Sequence, residues 1–535
     1  MLKSRFYLVL AATVLGGIVA GCSRSGPADE AGLKILHFGN GTEIQDLDPQ
    51  IVTGVPENKV INALFEGLVI EGPTGSDTQP GVAAAWDSLD NIVWTFHLRP
   101  DAVWSDGVPI TADTFVQSYQ RILTPSLASE YAYHLHYLQN AEAFNSGTLT
   151  DFSQVGIKAL NEHTLQMTLR SSTPYLIEML KHYSWFPVPV HLIQKFDGMD
   201  KQGTAWTRQE NFVGNGSFVL KDWRFNQKII VERSPTYWDR ANVLLDQIHF
   251  YPIDNIATEE NMFRTGALHK TNELLLSKRP VYKTEHPDEY REDPYMGVYF
   301  YRLNVTRPPL NNVRVRKALA LAIDREAIVE NIKKGGEAPA YHFCPPSAKF
   351  ASTTRLEGDL ETARRLLAEA GYPDGQGFPR IEILFNTQDN HRVIAEAIQQ
   401  MWRRNLNVNI GVYNQEWKVY LDSQDNLDYD ISRSGWIADY TDPSTFMDMW
   451  VTDGGNNDTG WSSAEYDELI AKSYHTDSEE ERMAIYQRMD DILMEEVPII
   501  PIHFYTRVYA LSTKVQNWPV NVLDNRSWKY LDLAE

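Results

Sequence analysis

The stretch AAAWDSLDNIVWTFHLRPDAVWSDGVPITADTF, residues 83–115, carries the most specific pattern in the chain. Apolar and polar side chains alternate over residues 93–99, which predicts a half-buried strand. Turn residues follow at Trp104-Ser105-Asp106-Gly107, and Thr111 is placed to cap a helix that runs on through Phe115. The stretch therefore predicts a strand, a tight turn and a capped helix in close succession.

Outward from this stretch, short apolar strands alternate with helices, which is the pattern of a mixed α/β body. Strands are expected near residues 33–38, 297–304, 381–386, 407–413 and 497–503. Helices are expected over residues 57–66, over residues 313–334 with a stop at Gly335-Gly336, and over residues 359–370 with a stop at Gly371. Ser478 and Glu481 have the spacing of a capping box for the last long helix.

A second informative stretch is Arg433-Ser434-Gly435-Trp436-Ile437-Ala438-Asp439-Tyr440-Thr441-Asp442-Pro443. It places a cation, a glycine, aromatic rings and a carboxylate in a segment of strand character. If the segment is extended, Arg433 and Asp439 share one face at a separation of about 20 Å. That spacing suits the opposite charges of a zwitterionic ligand. The alternative, judged from these residues alone, is that each side chain is paired within the protein.

The chain begins with a targeting segment. A basic start, an apolar run over residues 6–20 and the small residues before Cys22 form the pattern of a signal peptide. The apolar run is too short to span a bilayer comfortably. The pattern resembles a bacterial lipobox, so residues 1–21 are expected to be a lipoprotein signal peptide, with lipid on Cys22 and residues 22–28 as a flexible tether. A plain secretory signal is the alternative.

Composition limits the class of protein. The 535 residues are 43% hydrophobic and 22% charged, which is enough for two or three domains. The formal net charge of −22 becomes about −24 without Lys3 and Arg5, which argues against nucleic acid as a partner. The cysteines are Cys22 and Cys344, so a lipid on the first leaves no internal disulfide. Abundant Trp and Tyr suit a core and equally a ligand cleft.

The sequence gives no sign of catalysis. The motifs GxSxG, SxxK, HExxH and the P-loop do not occur, although an exported enzyme without them remains an alternative. The pair His134 and His136 could bind a metal in principle. Its setting, residues 131–137, is aromatic and is typical of packing, so neither a metal nor a cofactor is expected.

Residues 83–115 resemble the signature region of the extracytoplasmic solute-binding proteins of peptide and nickel ABC transporters, family 5. Residues 433–440 are similar to the strand with which the oligopeptide-binding branch of that family holds its ligand. Further matches to this branch cover nearly the whole chain after the tether: Leu47-Asp48-Pro49, Pro56-Glu57-Asn58, Leu64-Phe65-Glu66-Gly67-Leu68, Glu232-Arg233-Ser234-Pro235-Thr236-Tyr237-Trp238, Val313-Arg314-Val315-Arg316-Lys317-Ala318-Leu319, Ala368-Glu369-Ala370-Gly371-Tyr372 and Asn414-Gln415-Glu416-Trp417-Lys418.

The resemblance implies a fold of the α/β class. It is a two-lobed periplasmic-binding-protein fold of the class II type with an additional third domain. The implied boundaries are residues 29–65, 206–296 and 526–535 for the first lobe, 66–205 for the additional domain and 297–525 for the second lobe.

The resemblance also implies how a peptide's two charged ends are held. Asp439 is expected to bind the ammonium group, and Arg433, His391 and Lys333 the carboxylate. The residues alone leave other readings open, because His391 opens a helix and Lys333 lies beside Lys334, where either could be an ordinary solvated helix end.

The middle of the peptide is expected to contact backbone and aromatic side chains. Backbone pairing would come from Gly435 and Ile437 in the second lobe, and from the segments around Val55 and Asn272 in the first. The residues expected to line side-chain pockets are Trp417, Trp436 and Tyr137. Composition alone would equally allow the two tryptophans to be core.

Two positions depart from the family pattern. Gln424 stands where close relatives carry a further arginine, so one partner for the ligand carboxylate is missing. Gly297 and Ile437 stand where close relatives carry a disulfide between the start of the second lobe and the peptide-holding strand. We therefore expect a different preference for ligand length and a looser hinge side of the cleft.

Together these observations predict a monomeric, lipid-anchored protein of the bacterial periplasm or cell envelope. It would capture short peptides for an ABC importer, close around them by hinge motion and deliver them to the membrane permease. The alternatives within the family are a binding protein for murein peptides, nickel or haem.

Overall fold

The computed structural model describes residues 32–476 and 478–534. Residues Lys34–Glu535 form one compact unit. The predicted signal peptide, Cys22 and the tether lie outside the described residues. Each helix in the described part of the chain is too short or too polar to cross a membrane.

Strands and helices alternate along the chain, as expected for a mixed α/β body. The strands are β1 (Ile35–Gly39), β2 (Val69–Glu71), β3 (Thr78–Pro80), β4 (Ala83–Ser88), β5 (Val93–Leu98), β6 (Ile157–Asn161), β7 (Thr164–Thr168), β8 (Phe218–Arg224), β9 (Lys228–Arg233), β10 (Gln247–Tyr251), β11 (Tyr290–Leu303), β12 (Ala338–Pro339), β13 (Glu382–Asn386), β14 (Gly411–Gln415), β15 (Ile431–Ile437), β16 (Ile499–Ala510), β17 (Val515–Gln516) and β18 (Asp532–Leu533). The α-helices are α1 (Val55–Leu64), α2 (Ala112–Leu123), α3 (Ala141–Asn145), α4 (Leu176–Met179), α5 (Val190–Ile193), α6 (Ile256–Arg264), α7 (Arg279–Glu285), α8 (Val313–Leu321), α9 (Arg325–Ala327), α10 (Leu360–Glu369), α11 (Asp389–Leu406), α12 (Trp417–Asp425), α13 (Ser444–Met447), α14 (Ala464–Tyr474) and α15 (Glu479–Glu496).

Three larger sheets organise these elements. Sheet A has the order β1-β10-β9-β8, and sheet B the order β4-β5-β7-β6. Sheet C has the order β12-β16-β11-β15-β13-β14, in which β13 runs parallel to both of its neighbours. Sheets A and B lie within the segments expected for the first lobe and the additional domain, and sheet C, apart from the start of β11, within the expected second lobe. The domain boundaries themselves stay a prediction.

The stretch at residues 83–115 folds as its pattern indicates. In β5 the side chains of Trp94, Phe96 and Leu98 are buried, whereas the alternate positions face outward, so the predicted half-buried strand is confirmed. At the start of α2 the Thr111 side chain accepts a hydrogen bond from the Thr114 backbone N–H. The Thr111 backbone N–H donates to the Thr114 side chain, and the two bonds together form a capping box.

The helix predicted over residues 313–334 is wrong as a single element. Helix α8 ends at Leu321, and a new helix begins after Asp324, whose side chain caps the backbone N–H of Ala327. A capping aspartate satisfies the free N–H groups of a new first turn, so it favours a break even where apolar spacing continues. Helices α10 and α15 begin after Asp359 and Ser478 as predicted.

Strand β15 lies in the interior of sheet C, but one of its edges is open over much of its length. It pairs with β11 from Ile431 to Ile437, whereas its pairing with β13 involves only Ile431 and Ser432. Residues 433–437 therefore have a neighbouring strand on one side only. This half-open strand is the structural basis of the site described below.

Gly297 and Ile437, which stand where the resemblance implies a disulfide in close relatives, are directly opposite each other across β11 and β15. A Cβ atom on Gly297 would overlap the Cδ1 atom of Ile437. The Ile437 side chain thus fills the space beside the glycine, so packing takes the place of a covalent link. The remaining cysteine, Cys344, is free and buried.

Candidate ligand-binding cleft

A cleft runs along the open edge of β15. It contains two adjoining cavities, of about 960 Å³ and about 940 Å³. Both are lined by Gly54, Val55, Trp417, Arg433 and Ile437, so they share walls and form one continuous space.

Most of the side chains predicted for the site meet in this cleft. The predicted residues that line one or both cavities are Val55, Asn272, His391, Trp417, Arg433, Gly435, Trp436, Ile437 and Asp439. Their roles toward a ligand remain predictions, but the structure brings them together from distant parts of the chain.

The backbone of β15 presents free hydrogen-bonding groups to this space. Ala438 N donates to Met296 O on the β11 side. Successive residues of a strand direct their backbone N–H and C=O groups to opposite edges. The backbone groups of Trp436 therefore also point toward β11, whereas those of Gly435 and Ile437 point toward the open edge. An extended chain could therefore add to β15 as a further strand.

One end of the cleft carries a buried carboxylate. Asp439 is 8% exposed and lines the first of the two cavities. Its oxygens accept from Thr445 Oγ1 at 3.1 Å and from Tyr131 Oη at 3.3 Å. The Nε2 atoms of His134 and His182 each lie 3.3 Å from an Asp439 oxygen. Within the described residues, no lysine or arginine pairs with Asp439.

A serine behind the two histidines sets their tautomers. Ser184 Oγ lies 3.0 Å from His134 Nδ1 and 2.9 Å from His182 Nδ1. The Ser184 backbone N–H also donates to His182 Nδ1, so that atom is an acceptor and the His182 proton sits on Nε2, toward Asp439. The Ser184 hydroxyl proton is then available to His134 Nδ1, which leaves the same tautomer there.

The negative charge at this end belongs to Asp439. Burial lowers the pKa of His182 to about 3, so this histidine is a neutral donor at pH 7. Burial alone would raise the pKa of Asp439, but the histidines and Thr445 outweigh it and lower that pKa below its usual value. The result is an ionised carboxylate without a lysine or arginine partner among the described residues, which leaves it able to bind a cation from a ligand.

The other end of the cleft carries a cation. Arg433 donates to Tyr505 Oη at 2.7 Å and to Asn386 Oδ1 at 3.2 Å, and its guanidinium lies 4.7 Å from the Tyr299 ring centre. No carboxylate pairs with it among residues 32–476 and 478–534. His391 lies beside it, and burial followed by the charge of Arg433 lowers the pKa of this histidine well below its usual range.

Two predicted residues lie away from the cavities. Lys333 is 3% exposed, and its Nζ lies 3.3 Å from Glu337 Oε1, so its charge is already paired. Tyr137 is 1% exposed and donates to Asp448 Oδ2 at 3.1 Å, so it lies in the core outside the lining of the two cavities. A positive charge at Lys333 still lowers the pKa of His391 from a distance.

The two tryptophans differ in their surroundings. Trp417 is half-buried between the cavities, and its Nε1 donates to Glu57 Oε1 across the cleft at 3.2 Å. Trp436 is 7% exposed, and its Nε1 donates to Thr445 O, so only part of its surface reaches the cavity that Asp439 lines. Trp417 is thus the better placed of the two to contact a ligand side chain.

Sequence reasoning missed the donors around Asp439. The aromatic setting of His134 indicated packing, and His182 and Tyr131 carry no local signal that links them to a segment about 300 residues away. A histidine among closely spaced tyrosines could have suggested a buried polar network. In the described part of the chain, no group of three or more His, Cys, Asp or Glu side chains is arranged to hold a metal ion.

Comparison with known proteins identifies the family of this fold and cleft. The family model "Bacterial extracellular solute-binding proteins, family 5 Middle" matches residues 77–458. The Escherichia coli periplasmic oligopeptide-binding protein OppA is 38% identical over 507 residues, which are 93% of this chain and 92% of that protein. These relatives are named for binding, not for catalysis, and OppA is periplasmic.

Comparison with solved structures points to the same family. The Haemophilus influenzae OppA complex with the peptide RPPGFSPFR matches with a TM-score of 0.90 and 32% identity, covering 94% of this chain and 99% of that one. The murein tripeptide binding protein MppA of Escherichia coli matches with a TM-score of 0.89 and 32% identity, with the same coverage of each chain.

An unliganded open form of MppA aligns less well, with a TM-score of 0.61 at 33% identity and coverage of 94% of this chain and 98% of that one. The arrangement described here therefore differs from that open form. Fold, cleft, family model and relatives agree, and the chain belongs to the bacterial extracellular solute-binding proteins of family 5.

Proposed function

We propose that this protein is the oligopeptide-binding subunit of an ABC importer. One observation carries the proposal: Asp439 and Arg433, opposite charges that have no countercharge within the described residues, lie at two ends of an open strand edge in one cleft. A peptide with free ends supplies an ammonium group, a carboxylate and a backbone that can pair with that edge.

The ammonium end is bound at Asp439. A buried carboxylate without a cation is costly, so a ligand ammonium that completes the pair stabilises the closed arrangement. Thr445, Tyr131, His134 and His182 hold the oxygens of Asp439 in place. The ligand carboxylate is bound by Arg433, with neutral His391 as an additional donor.

The middle of the ligand pairs with Gly435 and Ile437. Contacts to the backbone and chain ends are the same for every peptide sequence, so they contribute affinity without selecting for particular side chains. Trp417 and Val55 then form apolar walls for the ligand's side chains. Broad acceptance of peptide sequences follows from this division between backbone contacts and walls.

The cellular setting belongs to the same proposal. We infer a monomer without catalytic activity that is lipid-anchored through Cys22 in the bacterial envelope and delivers peptides to a membrane permease. The support is the targeting pattern at residues 1–22 and the periplasmic location of the OppA relatives. Lipid labelling of the wild type and loss of the label in Cys22→Ser is the expected result; a label that persists in the variant contradicts the anchor.

A murein peptide is the second candidate ligand. Gln424 removes one cation from the cleft, and the MppA structure, which is described as binding a murein tripeptide, matches this chain as well as the OppA complex does. Such a ligand would use the same cleft and the same Asp439. The two candidates therefore differ in ligand identity and not in mechanism.

Native mass spectrometry of the purified protein, followed by mild denaturation, tests the ligand class. We expect the release of a series of masses that match short peptides of mixed sequence. A single mass that corresponds to one murein peptide would favour the second candidate. A metal adduct or one non-peptide mass would contradict the proposal.

A further inference from the structure

Four positively charged side chains are buried together beside the cleft. They are Lys59 in α1, Lys270 after α6, Arg507 in β16 and Arg526 in the segment between β17 and β18. Each of these residues is at most 8% exposed. We call them the cationic cluster. Burying like charges together is unfavourable unless anions compensate them, so the cluster needs countercharges.

One carboxylate, Asp524, serves three members of the cationic cluster. Its Oδ2 atom lies 3.0 Å from Arg507 Nε and 3.6 Å from Lys59 Nζ, and its Oδ1 atom accepts from Arg526. Among residues 32–476 and 478–534, no other carboxylate lies within ion-pair distance of the cluster. Burial and the charge of Lys59 lower the pKa of Lys270 well below its usual range. Even without Lys270, three cations therefore share a single carboxylate.

Two further carboxylates lie close to the cationic cluster, but each is already engaged. Glu259 accepts from a backbone N–H at 2.7 Å, and burial raises its pKa to about 7. Glu273 accepts from Asn390 Nδ2 at 2.8 Å. Burial alone would raise the pKa of Glu273, but nearby cations, first among them Lys333 and Arg279, outweigh it and lower that pKa. The cluster therefore keeps an excess of positive charge.

Lys59 is the member of the cluster that lines both cavities of the cleft. Within the described residues, its Nζ atom has two polar partners, Asn272 Oδ1 at 3.5 Å and Asp524 Oδ2 at 3.6 Å. Both distances exceed the roughly 2.7–3.2 Å of an ordinary N–H···O bond. Asn272 lines one cavity and Asp524 the other, so the ammonium group lies where the cavities meet. Because an ammonium group has three donors, Lys59 is buried with donor capacity to spare.

The charge on Lys59 is costly in the absence of a ligand. Burial and the positive charge of Arg507 lower the pKa of Lys59 to about 7, although Asp524 opposes the change. An anion from a ligand would supply the missing acceptor and offset the repulsion from Arg507. A neutral side chain would do neither.

We propose that Lys59 binds the side-chain carboxylate of an acidic residue in the interior of the ligand, so that this protein prefers peptides with glutamate or aspartate between their two ends. The inference rests on the proposed function, because it assigns a side-chain preference to a peptide already held by its ends.

The position of the acidic residue also follows from the structure. Asp439 lines one cavity and His391 the other, whereas Lys59 lines both. A peptide that runs from Asp439 toward His391 therefore places its interior residues beside Lys59. Successive side chains of an extended chain point in opposite directions, so one of two neighbouring interior residues faces Lys59 and the other does not.

Calorimetry with short synthetic peptides tests the preference. Alanine tetrapeptides with free ends would carry glutamate or glutamine at the second or third position, since glutamine has the shape of glutamate without its charge. We expect glutamate to bind at least tenfold more tightly than glutamine at one of these positions and without gain at the other. Equal affinities at both positions would overturn this inference and leave the proposed function intact. If none of these peptides binds to the wild type, the proposed function fails as well.

Variants at Lys59 assign the effect to this side chain. Lys59→Gln should reduce the preference for glutamate to within about twofold, and Lys59→Arg, which keeps a cation at the position, should retain most of it. Lys418→Gln is the matched control and should keep the full preference, because Lys418 is an exposed lysine on α12 that lines neither cavity. A preference that survives in Lys59→Gln, or that Lys418→Gln reduces equally, contradicts the role of Lys59.

Discussion

At the scale of single residues, the site works because two charges are left without countercharges. Asp439 is ionised and contacts hydroxyl and imidazole groups, and Arg433 is held by two neutral oxygens and a tyrosine ring. Had either side chain been paired within the protein, a ligand would have to displace that partner. The arrangement instead reserves both charges for the ends of a zwitterion.

The lowered pKa values of His182 and His391 lead to a prediction about how peptide affinity depends on pH. An alanine peptide with free ends should bind with constant affinity between about pH 5 and pH 7.5, because the pKa values of His182 and His391 are both lowered and that of Asp439 is lowered too. Above that range the peptide amine loses its proton, which removes the cation. Calorimetry in matched buffers measures this, and a loss of affinity on passing below about pH 6.5, the usual pKa of histidine, would show that a histidine becomes charged at the site.

Part of this site could be predicted from the sequence because the residues concerned are close together in the chain. Asp439, Arg433 and Gly435 lie in one short segment, so their relation is visible in the chain itself. The ion pair of Lys333 could have been predicted by the same logic, since Glu337 follows it by four residues. Tyr131, His134 and His182 could not be predicted, because only the fold brings them to Asp439.

At the scale of elements, the decisive feature is a strand that is paired on one side and open on the other. Strand β13 pairs with β15 only at Ile431 and Ser432, and beyond that point the space is filled by α12 and by the cleft. Tyr420 and Gln424 of α12 both bond to Arg433 O, so the helix takes the place of a strand at this point. The edge is open from Gly435 onward.

Gly435 is required on this strand for a steric reason. A Cβ atom there would lie 2.5 Å from Tyr505 Oη, the atom to which Arg433 donates. Gly435→Ala should therefore displace Tyr505, loosen Arg433 and weaken peptide binding by about tenfold, roughly 1.4 kcal/mol. Gly358→Ala is the matched control, since the nearest atoms to a Cβ added there would be 3.5 Å away. Calorimetry that gives wild-type affinity for Gly435→Ala would contradict the role of Tyr505.

Element boundaries were less predictable than element types. The strand expected over residues 497–503 extends through Ile499–Ala510, because it pairs along most of its length with β11, which has 14 residues. The helix expected over residues 313–334 breaks at Asp324, where capping outweighs apolar spacing. Both differences arise from contacts or caps that a periodic pattern does not contain.

At the scale of the whole molecule, ligand binding is linked to closure of the cleft. Direct polar contacts across the cleft include Trp417 to Glu57 at 3.2 Å and Asn390 to Glu273 at 2.8 Å. Single hydrogen bonds contribute only about 1 kcal/mol each. Tyr131, His134 and His182, from the expected additional domain, also contact Asp439. A ligand that bridges Asp439 and Arg433 adds to these contacts and shifts the equilibrium further toward the closed arrangement.

Solution scattering can detect this linkage. We expect the ligand-free protein to have a larger radius of gyration than the peptide complex, because the open form of MppA differs in arrangement from the structure described here. Addition of a saturating alanine peptide should reduce the radius, and Asp439→Asn should require far more peptide for the same change. An identical radius with and without saturating peptide would contradict ligand-driven closure.

The central claim is that the two ends of the peptide are bound by Asp439 and Arg433. The most direct test is calorimetry with one alanine tetrapeptide in three forms: free, N-acetylated and C-amidated. We predict that either modification weakens binding by at least about 100-fold, roughly 3 kcal/mol, because each leaves a buried charge without its partner. In Asp439→Asn, N-acetylation should have little further effect. If blocked and free peptides bind equally well, the ends of the peptide are not what this cleft recognises.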